Sequence, residues 1–164
     1  GMDPRVLPLS TRRVTVFRLD DGNHALWVAP TRSGGFCRVF EGLGGGCTSM
    51  ASPLVIPEEG ETSPWLIHVT ARGVRGRPAP DLLGGEVLST AADRLVLTYE
   101  DGSSVDVPLV GVSAPVGAAF FLAYVPPERR TPGSRPLWLG AYDARGTLIA
   151  RTREPMYRIN SDIS

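Results

Sequence analysis

Three short segments, Asp20-Asp21-Gly22-Asn23, Glu100-Asp101-Gly102-Ser103 and Asp143-Ala144-Arg145-Gly146, each divide two runs in which apolar and polar residues alternate. Glycine beside aspartate supplies the positive-φ positions that a tight hairpin turn needs, and alternation of period two is the pattern of a strand with one face buried. These segments restrict the fold more than any other feature, because they require antiparallel hairpins. They carry no chemistry of their own.

The same reading extends along the chain. Residues 13–19 alternate, with Val14 and Val16 on one face and Phe17 and Leu19 on the other, and residues 24–29 return after the first turn. Residues 36–40 form a short strand and the glycine-rich 41–47 a flexible return. Residues 65–74 place Trp65, Ile67 and Val69 on one face and Leu66, His68 and Thr70 on the other, ahead of an arginine-rich loop at 72–77. Further strands are expected at 86–89, 94–99, 104–110, 118–125, 137–142 and 147–151, with a loop at 129–136. No long window keeps a helical apolar stripe free of glycine and proline. The pattern predicts an all-β protein, either an antiparallel β-sandwich (immunoglobulin-like) or an open barrel built from hairpins.

Residues 1–10 read as an expression scar and lead-in, 11–152 as one all-β domain and 153–164 as a C-terminal tail. The proline-rich 51–64, with Glu58, Glu59 and Glu61, reads as a surface connection that could divide lobes at 11–50 and 65–152. A chain of 164 residues with 42% hydrophobic content is long enough for one core, and its 19 glycines and 15 prolines fit a turn-rich protein. With 17 basic and 17 acidic residues there is no overall field to attract nucleic acid or an anionic membrane, so neither is expected as a partner. Every basic residue other than histidine is an arginine, and their even spread reads as a compositional bias of a GC-rich genome. No apolar run approaches the roughly 18–20 residues of a membrane span, and no signal peptide opens the chain as given, a reading that leaves room for a native signal or anchor ahead of it.

Few residues could carry chemistry. Cys37 and Cys47 are the only cysteines, and three readings are open: a disulfide, two buried thiols, or a catalytic or metal role. Closing a loop of this length would stabilise by about 2.5–3 kcal/mol in the chain-entropy account. In the catalytic reading Cys47, after Gly44-Gly45-Gly46, is a nucleophile on a tight turn with His24 or His68 as base, but neither histidine stands in a recognisable signature. His24, Cys37, Cys47 and His68 are too widely spaced for the paired ligands of an ordinary zinc site. Arg72, Arg75 and Arg77, and Arg129, Arg130 and Arg135, read as solvated turns before anion sites, and Glu58, Glu59 and Glu61 lack the spacing of a calcium loop. Trp27, Trp65 and Trp138 each sit in an expected strand and read as core; two on one exposed face would indicate a ligand groove. No catalytic, cofactor-binding or metal-binding residues are assigned.

Leu26-Trp27-Val28-Ala29-Pro30-Thr31, Ser33-Gly34-Gly35-Phe36-Cys37 and Gly44-Gly45-Gly46-Cys47 together resemble a pattern, Leu-Trp-x-Ala-Pro-Thr-x-x-Gly-Gly-x-Cys, of a loose group of uncharacterised β-sandwich proteins from high-GC actinobacteria. Residues 139–146, Leu-Gly-Ala-Tyr-Asp-Ala-Arg-Gly, are similar to the hairpin that closes such domains. The resemblance implies that Cys37 and Cys47 are bridged and that the domain stands outside the cytoplasm, often with a membrane anchor ahead of it. It carries over no catalytic residue and no cofactor.

The sequence thus leads to the expectation of a non-catalytic binding or interaction module for a protein or small ligand, placed outside the cytoplasm. The alternatives are a small thiol enzyme using Cys47 and a purely structural surface domain.

Overall fold

A computed structural model describes residues 11–32, 34–48, 66–73 and 79–152. Among them the chain forms β1 (Arg12–Leu19), β2 (Gly22–Pro30), β3 (Phe36–Phe40), β4 (Gly44–Thr48), β5 (Ile67–Gly73), β6 (Pro80–Val87), β7 (Arg94–Tyr99), β8 (Ser104–Val107), β9 (Val110–Val112), β10 (Ala118–Tyr124), β11 (Pro136–Tyr142) and β12 (Leu148–Thr152). A 3-10 turn, Pro127–Arg129, follows β10. The protein is all-β and antiparallel, a sandwich of three four-stranded sheets with orders β1-β2-β3-β4, β5-β6-β10-β9 and β12-β11-β7-β8.

Each of the three acidic-glycine segments closes a hairpin. Asp20 and Asp21 link Leu19 to Gly22, which pair across the β1–β2 ladder. In the β7–β8 turn Gly102 has a φ of 85°, and the Asp101 carboxylate accepts hydrogen bonds from the Ser103 N–H and hydroxyl at 2.9 and 2.6 Å. In the β11–β12 turn Gly146 has a φ of 80°, and the Asp143 carboxylate accepts from the Arg145 and Thr147 N–H groups, each at 2.9 Å. In these last two turns an aspartate satisfies the amides that a reversal leaves open, with glycine at the left-handed position.

The β5-β6-β10-β9 sheet is the middle layer, and both its faces are covered. Leu82, Val112, Ala118, Phe120 and Leu122 pack with Phe17, Leu26, Val28, Phe36 and Phe40 of the first sheet. Ile67, Leu83, Val87 and Phe121 pack with Leu95, Leu97, Tyr99, Val107, Leu139, Ala141 and Ala150 of the third. This double burial explains β10, in which five consecutive residues from Ala118 to Leu122 are buried. A strand covered on both sides has no wet face and loses the alternation of a half-exposed strand.

The structure corrects several sequence expectations. Residues 41–47 were expected to be a flexible return, yet Gly44–Thr48 pair with β3 as an edge strand. The strand expected at 86–89 is the end of a longer one, Pro80–Val87, hidden in sequence by Pro80, Gly84 and Gly85. Those glycines are required by packing. A Cβ at Gly85 would run into the His68 carbonyl, and one at Gly84 into the side chains of Leu43 and Leu122. The strand expected at 104–110 is two strands in different layers, with β8 in the third sheet and β9 in the middle one. Pro108 lies between them, and a residue without an N–H suits the point at which a ladder stops. Residues 51–65 and 74–78, which include Glu58, Glu59, Glu61, Trp65, Arg75 and Arg77, lie outside the described residues.

Candidate functional site

The two cysteines face each other across the β3–β4 ladder and form a disulfide. In this state Cys47 has no thiolate, so the nucleophile reading and the four-residue zinc set both lose their sulfur ligand. Among the described residues no group of His, Cys, Asp or Glu stands together as a metal site. Both histidines serve a different purpose. His24, buried on the inner face of β2, hydrogen-bonds the Glu41 carbonyl through Nδ1 at 2.6 Å and the Asp21 carboxylate through Nε2 at 2.8 Å. Each ring nitrogen thus lies against an acceptor oxygen, one from the backbone and one from a carboxylate. His68, on β5, places Nδ1 3.2 Å from the Glu86 carboxylate.

These residues belong to two polar clamps between the first and middle sheets. In one, Glu86, only 1% exposed, accepts from Arg38 Nε at 2.8 Å and from the Thr48 hydroxyl at 3.4 Å, while Arg38 Nη2 donates to the Thr70 hydroxyl at 3.0 Å. Arg38 and Thr48 follow Cys37 and Cys47 directly, so the disulfide fastens together the two strands that deliver these groups to Glu86. In the other, Arg72 binds Asp81 at 2.9 and 3.0 Å, Asp21 at 3.0 Å and the Gly42 carbonyl at 3.0 Å. Burial works against the Asp21 anion, but hydrogen bonds from His24 and Arg72 outweigh it and hold its carboxyl below the ordinary value. The Arg72 guanidinium is raised, chiefly by its hydrogen bonds to Asp81. Every described member of these clamps is used in holding layers together, and Arg72 is thereby corrected from a solvated turn to an inter-sheet tie.

The second arginine cluster is likewise structural. Arg129 pairs with Asp101 at 2.6 Å and lies over the Tyr99 ring, Arg130 donates to the Val125 carbonyl at 2.7 Å, and Arg135 pairs with Glu100 at 2.7 Å. Arg129 and Arg135 tie the loop before β11 to the β7–β8 turn, and Arg130 binds back to the end of β10. Asp101, hydrogen-bonded first by Ser103 and then by Arg129, has its carboxyl lowered to about 2.

A concave surface occurs elsewhere, on the outer face of the third sheet. A recess of about 260 Å³ is lined by Val96, Thr98, Trp138, Gly140, Tyr142, Leu148 and Arg151. Period two along β11 puts Trp138, Gly140 and Tyr142 on the outer face, while Leu139 and Ala141 point into the core. Across the ladders Gly140 is opposite Val96 on β7 and Arg151 on β12, and Trp138 is opposite Thr98. The missing side chain at Gly140 creates the depression, since a Cβ there would sit 3.3 Å from Leu148 and 3.4 Å from the Tyr142 ring. The Arg151 guanidinium covers the Trp138 indole, 3.6 Å from the ring centroid. A guanidinium stacked in this way keeps its in-plane N–H donors for an acceptor.

Trp27 and Trp138 are therefore corrected from core to surface, while Trp65 lies outside the described residues. Trp27 is 38% exposed on the outer face of the first sheet, and Trp138 borders the recess on the third, so the two occupy opposite outer layers. Phenylalanine and leucine fill the cores in their place. The signal in sequence for the recess was Trp138-x-Gly140-x-Tyr142, an aromatic pair around a glycine at strand period. Among the described residues no helix is long and apolar enough to cross a membrane. No family model matches the chain, and no curated protein or solved structure shows significant similarity to it.

Proposed function

We propose that the chain is a non-catalytic binding module, acting outside the cytoplasm, that takes a small carboxylate-bearing ligand in the recess around Gly140. The observation that carries this reading is the Gly140 depression with Arg151 on its rim. Among the described residues the Arg151 guanidinium has no carboxylate partner and lies over the Trp138 ring. The Tyr142 and Thr98 side chains bring hydroxyls to the same lining. One cation, two hydroxyls and apolar walls suit an acidic monosaccharide, whose carboxylate pairs with Arg151 while its ring and hydroxyls meet Tyr142 and Thr98. At about 260 Å³ the recess suits a single sugar unit and a weak complex. The placement outside the cytoplasm rests on the Cys37–Cys47 bridge, since such bonds persist in oxidising compartments.

The test is a titration with glucuronate, with glucose and acetate as controls, followed by the NMR shift of the Trp138 indole N–H. Saturation by glucuronate at a Kd of about 1 mM, corresponding to about −4 kcal/mol, is expected, with weaker effects of either control. Arg151→Gln and Trp138→Ala are each expected to weaken binding tenfold or more. A flat response to glucuronate, or binding indifferent to Arg151→Gln, would overturn the reading.

A further inference from the structure

The outer face of the first sheet presents exposed apolar side chains. Of the four large hydrophobic side chains exposed among the described residues, three are on β1, β2 and β3: Val16 at 36%, Trp27 at 38% and Val39 at 48%. Register places them on one surface. Trp27 is directly opposite Val39, Val39 opposite Gly45, Val16 opposite Ala25, and Ala29 opposite Cys37, which is opposite Cys47. The surface is therefore a Trp27–Val39 ridge, with alanine and the disulfide beside it and the low glycine strand β4 along one flank.

Its charge is divided. Arg13, opposite Trp27, and Arg18, in the alternation of Val16, are on the β1 flank, and among the described residues neither has an ion-pair partner. The Glu41 carboxylate is towards the β3 side, where it accepts from the Trp27 indole N–H at 3.3 Å and the Ala25 N–H at 3.4 Å. We infer that this face binds a second copy of the same chain through a two-fold axis parallel to the strands and passing between β2 and β3. Such an axis lays Trp27 on the partner's Val39. It sets the long side chains of β1 on the shelf made by the partner's Gly44, Gly45 and Gly46, and it brings Arg18 towards the partner's Glu41. Apolar ridge meets apolar ridge, projecting strand meets strand without side chains, and basic flank meets acidic flank, each contact occurring twice as an isologous interface requires.

Four strands spaced by about 4.8 Å, with lengths of 5 to 9 residues, give a face on the order of 400–500 Å² per copy. That is small for a specific interface and fits a reversible dimer of micromolar affinity or weaker. The inference is independent of the recess, which is on the opposite outer layer.

Sedimentation equilibrium of the oxidised protein, from micromolar to about millimolar concentration, tests it. The weight-average mass is expected to rise from 17.6 kDa towards twice that value. Val39→Lys and Trp27→Ser, both at exposed positions, are expected to hold the mass at the monomer value, with circular dichroism confirming that each remains folded. Arg18→Glu and Glu41→Arg should each weaken association tenfold or more, and the double substitution should restore it. A monomer at every concentration overturns the inference, whatever other protein the face then serves. So does a dimer whose mass is indifferent to Val39→Lys, or a double substitution that fails to recover association.

Discussion

The middle sheet is held on its two sides by different chemistry. Against the first sheet it uses an apolar cluster bounded by two ionic clamps, Arg38–Glu86 with its threonines and the Asp21–His24–Arg72–Asp81 chain. Against the third sheet the cluster is apolar, and the ion pairs of that region, Arg94–Asp106, Arg129–Asp101 and Arg135–Glu100, stand at ladders and loops nearer to solvent. Apolar contacts stabilise without defining one arrangement, whereas a buried ion pair contributes little net energy and tolerates few alternatives. The first sheet is a short meander rich in glycine, so it gains most from contacts that fix where it sits.

The largest effect that separates the two sides comes from removing half of a buried pair. Glu86→Ala leaves the Arg38 guanidinium buried without a counter-charge and is expected to cost about 3–5 kcal/mol in urea unfolding. Leu139→Ala, on the apolar side, should cost a comparable 2–5 kcal/mol through the cavity it leaves. The comparison is sharpened by Arg38→Met combined with Glu86→Leu, which is expected to be far milder than Glu86→Ala and close to neutral. If the double substitution is as costly as the single one, the pair is worth more than its role in specifying position. Next in size, replacing Cys37 and Cys47 by serine is expected to lower stability by about 2.5–3 kcal/mol, measured by the same unfolding.

Acid provides a smaller contrast. The folded Asp21 carboxyl is below its unfolded value of 3.8, so its contribution is complete above that pH and is lost as pH falls through the lower folded value. Asp101, lowered to about 2, follows the same sign over the window from 3.8 down to about 2. Asp21 joins two sheets and Asp101 joins a turn to a loop of the same region. Asp21→Asn and Asp101→Asn should therefore each lower stability at pH 7 and flatten the acid-induced fall in melting temperature, with the smaller loss at Asp101, whose ion pair is more exposed and screened by solvent. Identical neutral-pH behaviour of the two variants would remove the distinction. Smallest of all, Arg94→Gln at the outer pair with Asp106, where both side chains are more than half exposed, should change stability by less than about 0.5 kcal/mol.

What sequence revealed follows from how local each determinant is. The three hairpin turns were legible because aspartate and glycine act within four residues. β4 was hidden because Gly44, Gly45 and Gly46 have no strand propensity of their own, and only the ladder to β3 and the bridge to Cys37 make them extended. β10 was recognised as strongly apolar, but that its run implied a sheet covered on both faces depends on layers contributed by distant segments. The clamps were illegible for the same reason, since Arg38 meets Glu86 across 48 positions and Asp21 meets Arg72 across 51. The recess was half legible: Trp138 and Tyr142 fall on one face by period, but only the structure shows that Gly140 opens space between them and that Arg151 stands at its rim.

The strand orders also set the sequence of events by which such a chain organises itself. The first sheet joins each strand to its neighbour in sequence, so its contacts close over short loops, such as 31–35 between β2 and β3. The middle sheet must join β6 to β10 across residues 88–117, a closure whose entropic cost exceeds that of the shorter loop by about 1.6 kcal/mol. The sheet that is easiest to assemble thus has only one side to bury, and the surface it needs is the one that takes longest to form. Until β6 meets β10 the first meander has no floor, and the Cys37–Cys47 bridge ties two of its strands together without help from the other layers.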